Sequence, residues 1–413
     1  MERSQDVQDK NPKIPESQNP VQDNSRPGYK HTPLGWIPEE WEVKKLEDIT
    51  VNFKSGEGIT SSNIFELGDF PVYGGNGLRG YTNSYTHEGD YILIGRQGAL
   101  CGNIFLVKGK NYISEHAIAV SVNGKTDLYW LSYNLIYRNL NRLSESSAQP
   151  GLAVNKLIKL KISLPSLPEQ RRIATILSTW DEAITKTKQL IAQLQQRNKG
   201  LMQQLLTGKK RLKGFEKTKF SLSPINSFAK EISDKNRQDK DLIVLSCTKY
   251  HGLVPSLEYF GRKIYSDNLT TYKIVSKNCF AYATNHIEEG SIGYQSQYDE
   301  ALISPMYTVF KTNHSVDDEF LYKILKSHHY IHEYQKRMEG SIDRRGGLRW
   351  NEFSKIKVPV PSLGEQKQIA AILSHADNEL QLYEQKLGIL QQQKKGLMQK
   401  LLTGEVRVKI DNN

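Results

Sequence analysis

Pro165-Ser-Leu-Pro-Glu-Gln170 returns 196 residues later as Pro361-Ser-Leu-Gly-Glu-Gln366, and the stretch downstream of each copy decides the fold. The same offset aligns Ile173-Ala174 with Ile369-Ala370 and Ile176-Leu177-Ser178 with Ile372-Leu373-Ser374. It goes on to align Lys199-Gly-Leu-Met-Gln203 with Lys395-Gly-Leu-Met-Gln399 and Leu205-Leu-Thr-Gly208 with Leu401-Leu-Thr-Gly404, without a gap. Upstream, Gly151, Leu152, Asn155, Lys159 and Lys161 match Gly347, Leu348, Asn351, Lys355 and Lys357. Chance does not produce such a match, so the chain carries an internal duplication.

Each copy reads as a long helix. A mostly apolar spacing of four and three runs through Ile173, Leu177, Trp180, Ile184, Thr187, Ile191, Leu194, Asn198, Leu201 and Leu205. The second copy runs Ile369, Leu373, Ala376, Leu380, Tyr383, Leu387, Leu390, Lys394, Leu397 and Leu401. This is the 3.5-residue period of a coiled-coil seam, with Gln- and Lys-rich flanks as the solvated face. Two amphipathic helices buried on separate cores would show a broader apolar stripe. Asn198 and Lys394 fall at the same seam position, where a polar group fixes register or orientation at some cost in stability. Pro165 and Pro168 sit where a helix begins, Gly208 and Gly404 where one ends. At about 1.5 Å per residue, Ile173 to Leu205 spans about 48 Å, enough for a spacer.

Around the helices lie two unlike segments that share an order of elements. The first has strand-like runs at Asp90–Ile94 and Ala117–Ser121, then a helical run from Asp127 to Leu143. The second has Asp241–Leu245, Cys279–Tyr282 and Met306–Phe310, then a helical run from Asp318 to Arg337. Ile113-Ser114 before one strand echoes Ile303-Ser304 before another. The fold class is therefore α/β: two mixed α/β modules and two long helices, organised by an internal repeat. The expected division is a disordered tail over 1–33, modules over 34–163 and 215–360, and helices over 164–208 and 361–404. The tail is rich in Asn, Gln, Asp, Ser and Pro and nearly devoid of apolar residues.

Composition narrows the function. At 413 residues the chain suits two or three domains, and a net charge of +11 favours a polyanionic partner. Cys101, Cys247 and Cys279 lie far apart without metal-ligand spacing, as free thiols in a reducing compartment do. With no apolar leader and no stretch of about 20 apolar residues, the chain is expected in the cytoplasm.

The two Pro-Ser-Leu-x-Glu-Gln…Ile-Ala…Ile-Leu-Ser copies, leading into heptads that close on Leu-Leu-Thr-Gly, resemble the specificity subunit of type I restriction–modification systems. Gly35-Trp-Ile-Pro-Glu-Glu-Trp41, Tyr73-Gly-Gly-Asn-Gly77 and Ile94-Gly-Arg96 resemble it too, although the second module has no obvious copy of the Gly-Trp-Ile-Pro start. The resemblance implies that the modules are target-recognition domains and that the repeats pair as an antiparallel coiled coil, giving a pseudo-two-fold chain. It implies recognition of double-stranded DNA on behalf of two modification (methyltransferase) subunits and of restriction (translocase/endonuclease) subunits. S-adenosylmethionine, ATP and magnesium belong to those partners; this chain is expected to hold no cofactor, no metal and no catalytic residue. The alternative is a coiled-coil scaffold without a DNA role.

The motifs that catalysis would need are missing as well. The Asn/Asp-Pro-Pro-Tyr/Phe methyltransferase motif and the GxxxxGK[ST] phosphate loop are missing, and Gly95-Arg-Gln-Gly-Ala-Leu-Cys-Gly102 is not GxGxxG. Glu42-Val-Lys44 lacks the upstream Asp of a nuclease motif and reads as a strand. His328, His329 and His332 have no carboxylate or Cys at a known metal spacing and read as a solvated helix face. Base readers are Arg, Lys, Asn and Gln on exposed loops, with Lys and Arg on phosphates. In the first module Asn76, Arg79, Arg96 and Gln97 qualify; in the second, Lys249, Tyr250, Arg344, Arg345 and Arg349. Asn155 and Asn351 belong to the shared frame and are assigned structural roles.

Overall fold

The computed structural model describes residues 26–98, 100–144, 150–313, 315–339 and 347–410. Two compact units divide the chain, Met1–Ile184 with Ile389–Asn413 and Thr185–Gly388. Each combines one mixed α/β module with part of each long helix, whereas the sequence pattern set helices and modules apart.

In the first unit an antiparallel sheet runs in the order Thr50–Ser55, Ala117–Val122, Tyr91–Gly95, Ile104–Val107. Alternation along its strands sends Ile92, Ile94, Ile118 and Val120 into a core shared with Trp130, Leu131 and Leu135 of the helix Leu128–Arg138. Leu93, Ala117 and Ala119 pack on the opposite face with Val107 and Ile113. With both faces covered, these strands are continuous apolar runs, which is why they were legible. The helical run expected to Leu143 ends at Arg138, where Asn139 turns left-handed (φ 49°); a short 3-10 turn over Leu140–Leu143 comes next.

The second unit repeats the plan. Its sheet runs Ala229–Ile232, Tyr307–Thr312, Cys279–Ala283, Ile292–Gln295, again antiparallel. Phe280, Tyr282 and Phe310 face the helix residues Phe320, Leu321 and Ile324. The helical run expected to Arg337 is two helices, Asp318–Leu325 and His328–Glu339. The break sits at Lys326, whose half-buried ammonium donates to the carbonyls of Thr248 (3.3 Å), Gly290 (2.6 Å) and Ile292 (3.2 Å). The strand expected over Asp241–Leu245 is displaced to Leu245–Thr248. Val244 makes only an isolated bridge to Leu302 before the chain changes partner to Gly252–Pro255.

Part of the tail expected over 1–33 is structured. Residues 29–32 form a strand, Tyr29–Thr32, paired with Gly35–Pro38, and the Tyr29 hydroxyl donates to the Gly404 carbonyl at 2.9 Å. A hairpin partner orders this stretch, so its low apolar content was a poor guide. Residues 1–25 lie outside the described residues.

The long helices span Leu167–Leu205 and Leu363–Thr403. In the first, Ile173, Leu177, Ile184, Ile191, Leu194 and Leu205 are buried and Leu201 is partly buried. In the second, Ile369, Leu373 and Leu401 are buried, while Leu380, Leu387, Leu390 and Leu397 are partly buried. Within the first unit Ile173, Ala174 and Leu177 share a core with Leu401 and Leu402. Within the second, Leu205 and Leu206 share one with Ile369, Ala370 and Leu373. In each unit the beginning of one long helix lies against the end of the other. The two polar seam positions have partners: Asn198 Nδ2 donates to the Ala376 carbonyl (2.8 Å), and Lys394 pairs with Asp181 (2.5 Å), which also accepts from the Tyr133 hydroxyl (2.8 Å).

The Glu-Gln pair of each repeat is fully buried, and its glutamine makes the same two bonds in both units. Gln170 accepts from the Asp127 N–H (2.8 Å) and donates to the Pro165 carbonyl (2.9 Å); Gln366 does the same with Asp317 (2.7 Å) and Pro361 (2.8 Å). Asp127 and Asp317 in turn cap the helices that lie on the sheets, so this glutamine fastens module to repeat. Glu169 receives both Arg407 (2.7 and 3.0 Å) and the Trp41 indole N–H (3.0 Å). Glu365 receives Arg211 (2.9 and 2.5 Å). These charge-assisted bonds hold both guanidinium groups above their ordinary range. Arg211 and Arg407 are themselves 196 residues apart, so the duplication extends past Gly208 and Gly404. Phe220 stands where Trp41 does: Arg211 lies 4.8 Å from the Phe220 ring, Arg407 5.9 Å from that of Trp41. Trp41, the last residue of Gly35-Trp-Ile-Pro-Glu-Glu-Trp41, thus has a different aromatic residue as its counterpart in the second module, against the equivalent arginine.

Candidate nucleic-acid interface

The two sheets hold equivalent loops at the same edge. In the first module the strand pairing ends at Gly95 opposite Ala117; in the second, at Ala283 opposite Tyr307. The strand partner is preceded by a tight turn in both: the Ala117 N–H donates to Ser114 O and the Tyr307 N–H to Ser304 O, each at 3.0 Å. This is the structural content of the Ile-Ser echo. Beyond the strands, the repeat's Gly-Leu pair docks on the loop: the Leu152 N–H donates to Arg96 O and the Leu348 N–H to Thr284 O, both at 2.9 Å. Register and docking bond together make Arg96-Gln97 and Thr284-Asn285 counterparts.

Around the first loop the sequence candidates converge. Asn76 is exposed in the turn between Phe70–Gly74 and Gly77–Thr82, and Arg79 is exposed on the returning strand. A Cβ added at Gly95 would lie 2.4 Å from the Gly75 carbonyl, so that turn is pressed against the Arg96 loop and needs the small residue. Arg96 is partly buried and Gln97 exposed. His116 Nδ1 is 2.9 Å from Gln97 Oε1, and His116 Nε2 is 3.2 Å from Glu115 Oε1. Polar side chains from both segments thus share one surface, in an arrangement suited to hydrogen-bonding base edges and phosphates.

The second-module candidates divide. Arg349 is exposed beside Thr284, Asn285 and Met306, at a cleft of about 490 Å³. Lys249 and Tyr250 occupy the hairpin turn after Leu245–Thr248, the ammonium 5.4 Å from the Tyr250 ring. They line another cleft, of about 620 Å³, with Glu288, Glu289, His328 and His332. Arg344 and Arg345 lie outside the described residues. The sequence pattern did not single out Thr284 and Asn285, which lack the glycines and positive charge that marked Arg96-Gln97; their position after an apolar strand was the available signal. Asn155 and Asn351 sit on matching short helices, Val154–Leu157 and Trp350–Phe353, just past the docking leucines.

Two lysines are committed to the scaffold. Burial lowers the pKa of Lys326, and also that of Lys273, which donates to the Tyr307 carbonyl at 2.6 Å. Burial pushes the Cys247 thiol up to about 12, far from a nucleophile. His328, His329 and His332 are all exposed on one helix, the solvated face expected of them. Among the described residues, His286, Glu288 and Glu289 bring ligand atoms within 4.8 Å of one another. All three come from one turn, which by itself brings them together, with His286 Nδ1 3.5 Å from Glu289 Oε1.

A family model described as the type I restriction modification DNA specificity domain matches residues 38–196 and 226–392. The specificity subunit of the Escherichia coli type I restriction enzyme EcoprrI is 42% identical over 159 residues, 37% of this chain and 39% of that protein. The specificity subunit of the Methanocaldococcus jannaschii type I restriction enzyme MjaVIII is 27% identical over 414 residues, 90% of this chain and 94% of that protein. A crystal structure of the type I restriction–modification S subunit from M. genitalium shares the fold, with a TM-score of 0.61 at 18% identity over 88% of this chain and 96% of that one.

Proposed function

The chain belongs to the type I restriction modification DNA specificity family, and on that premise we propose that it reads a bipartite, non-palindromic DNA site, one module to each half-site. Type I specificity subunits supply sequence recognition and leave the chemistry to other subunits. The observation that carries the two-half-site reading is a common frame with unlike fillings. Both sheets have one strand order and one docking bond, yet the loops they present are Arg96-Gln97 and Thr284-Asn285.

The long helices act as an antiparallel coiled-coil spacer with pseudo-two-fold symmetry. Supporting this, each unit joins the start of one helix to the end of the other, with Arg407–Glu169 and Arg211–Glu365 as reciprocal fastenings. Two modification subunits carry S-adenosylmethionine and methylate adenine, and restriction subunits consume ATP with magnesium, all in the cytoplasm. The net charge of +11 suits the polyanion.

The test is methylome sequencing of cells carrying this chain with its modification subunits, before and after residues 215–350 are exchanged for a related second module. One half-site should change and the other persist. Methylation that ignores the exchange, or changes in both half-sites, refutes independent reading; no shift of duplex DNA by the complex favours the scaffold alternative.

A further inference from the structure

We infer that Gln97 and Asn285 are counterpart adenine-reading residues, each presenting one amide to a base edge in its own half-site. The inference rests on the DNA-reading function proposed above and goes beyond it by naming a residue in each module and the base it takes. Asn285 is not marked by charge, glycine or motif; only the fold brings it to notice.

Three observations meet at these positions. The first is register: each residue stands two places past the last strand pair, Gly95↔Ala117 or Ala283↔Tyr307. The second is docking: the residue just before each amide offers its carbonyl to the N–H of the repeat's leucine, at 2.9 Å in both modules. The loop is thereby held by backbone atoms, and the next residue is exposed. In the second module the fit is close, because a Cβ on Gly347 (φ +65°) would lie 2.4 Å from both Thr284 O and Asn285 Oδ1. The third is orientation: a polar neighbour lies against each amide oxygen. His116 Nδ1 lies 2.9 Å from Gln97 Oε1, and the Thr284 hydroxyl lies 3.3 Å from Asn285 Oδ1, its single proton shared with the Met306 carbonyl at 3.1 Å. The oxygen keeps a second lone pair and the NH2 group both its protons.

An amide with one donor and one acceptor on a planar group matches adenine in the major groove, whose N6 amino group donates and N7 accepts. A lysine at this place would only donate, and so would match the two acceptors of guanine instead of adenine. Held on a docked loop, a short amide loses little side-chain freedom on contact, so the pairing discriminates instead of merely adhering. Met306, in the place of His116, is 63% exposed beside Asn285 and offers an apolar flank suited to a thymine methyl.

The experiment uses the complete chain with its modification subunits and reads the methylome and duplex-binding affinities for Q97A, N285A and N285D. Expected for Q97A is loss of preference at one position of the first half-site, with affinity for the cognate duplex falling about 5- to 100-fold and the second half-site unchanged. N285A should mirror this in the second half-site. N285D, which presents only acceptors, should move that position from adenine toward cytosine, a gain that a structural role cannot produce. Unchanged half-sites in both alanine variants, or an equal loss of affinity for every sequence, overturns the inference while leaving the DNA-reading function intact. If the unsubstituted complex itself methylates no bipartite site, that function fails and the inference with it.

Discussion

Removing Arg211 should destabilise the second unit more than removing Arg407 destabilises the first, and the difference can be worked from their surroundings. The Glu365 side chain is fully buried and Arg211 only 15% exposed, so R211A strands a carboxylate out of water. Such a group has two escapes, rearrangement or uptake of a proton. Protonating an ordinary Glu at pH 7 costs roughly 3.7 kcal/mol, given a usual pKa of about 4.3. That sets the scale, and it agrees with the ~3–5 kcal/mol seen when one partner of a buried pair is removed. Glu169 is better provided. In R407A the Trp41 N–H still donates to it, and the vacated guanidinium was 36% exposed, which lets water reach the carboxylate. We expect about 3–4 kcal/mol for R211A and about half that for R407A. The pH dependence supplies a check on cause. A carboxyl that is neutral in the folded variant but ionised when unfolded means that the folded state holds the extra proton. Stability of R211A then rises as pH falls from 7 toward about 4.3, and its deficit against the parent narrows. Urea unfolding by circular dichroism at pH 7 and pH 5, with hydrogen exchange at the start of Leu363–Thr403, measures both. Equal costs for the two variants, or a deficit that widens on acidification, would refute the argument.

The same contacts support further tests. K326M should cost about 2 kcal/mol by stripping a donor from three carbonyls. Because burial lowers the folded pKa of Lys326, the folded state holds fewer protons than the unfolded chain on approach to the ordinary 10.5. The stability of the parent relative to K326M should therefore grow between pH 8 and pH 10 in thermal unfolding, and a shrinking gap would speak against it. Inserting one heptad after Leu194 and another after Leu390 keeps the seam in phase and adds about 10 Å of helix, near three base pairs. The methylome should then show both half-sites retained and a longer unread spacer; the original spacer would mean that the helices are not the ruler.

Long-distance repeats and short periods were the legible part of the sequence. The heptads announced the helices because burial at 3.5-residue spacing constrains every third or fourth residue from Ile173 to Leu205. The Glu-Gln pair was equally visible as a repeat, but not its work, since Arg407 is 238 residues from Glu169 and Arg211 is 154 from Glu365. Those arginines do obey the repeat offset. They went unread because Lys209-Lys210 and Glu405-Val406 interrupt the match just before them. Trp41 and Phe220 differ in type while sharing a place, so only the arginine near each reveals the equivalence.

The site residues were less legible for a reason built into the frame. A loop held by its side chains would have carried its docking residues as a recurring motif. Here the loop is held by its own backbone: Arg96 O and Thr284 O accept the leucine N–H whatever side chain sits beside them. The recurring Gly-Leu lies on the scaffold side of that bond, and the loop side is left unconstrained in sequence. Replacing Arg96-Gln97 with Thr284-Asn285 therefore alters what is presented while the bond that positions it persists. A backbone dock of this kind lets the presented side chains differ without disturbing Leu152 and Leu348, each 3% exposed. The two modules keep one architecture and present different chemistry for the same physical reason.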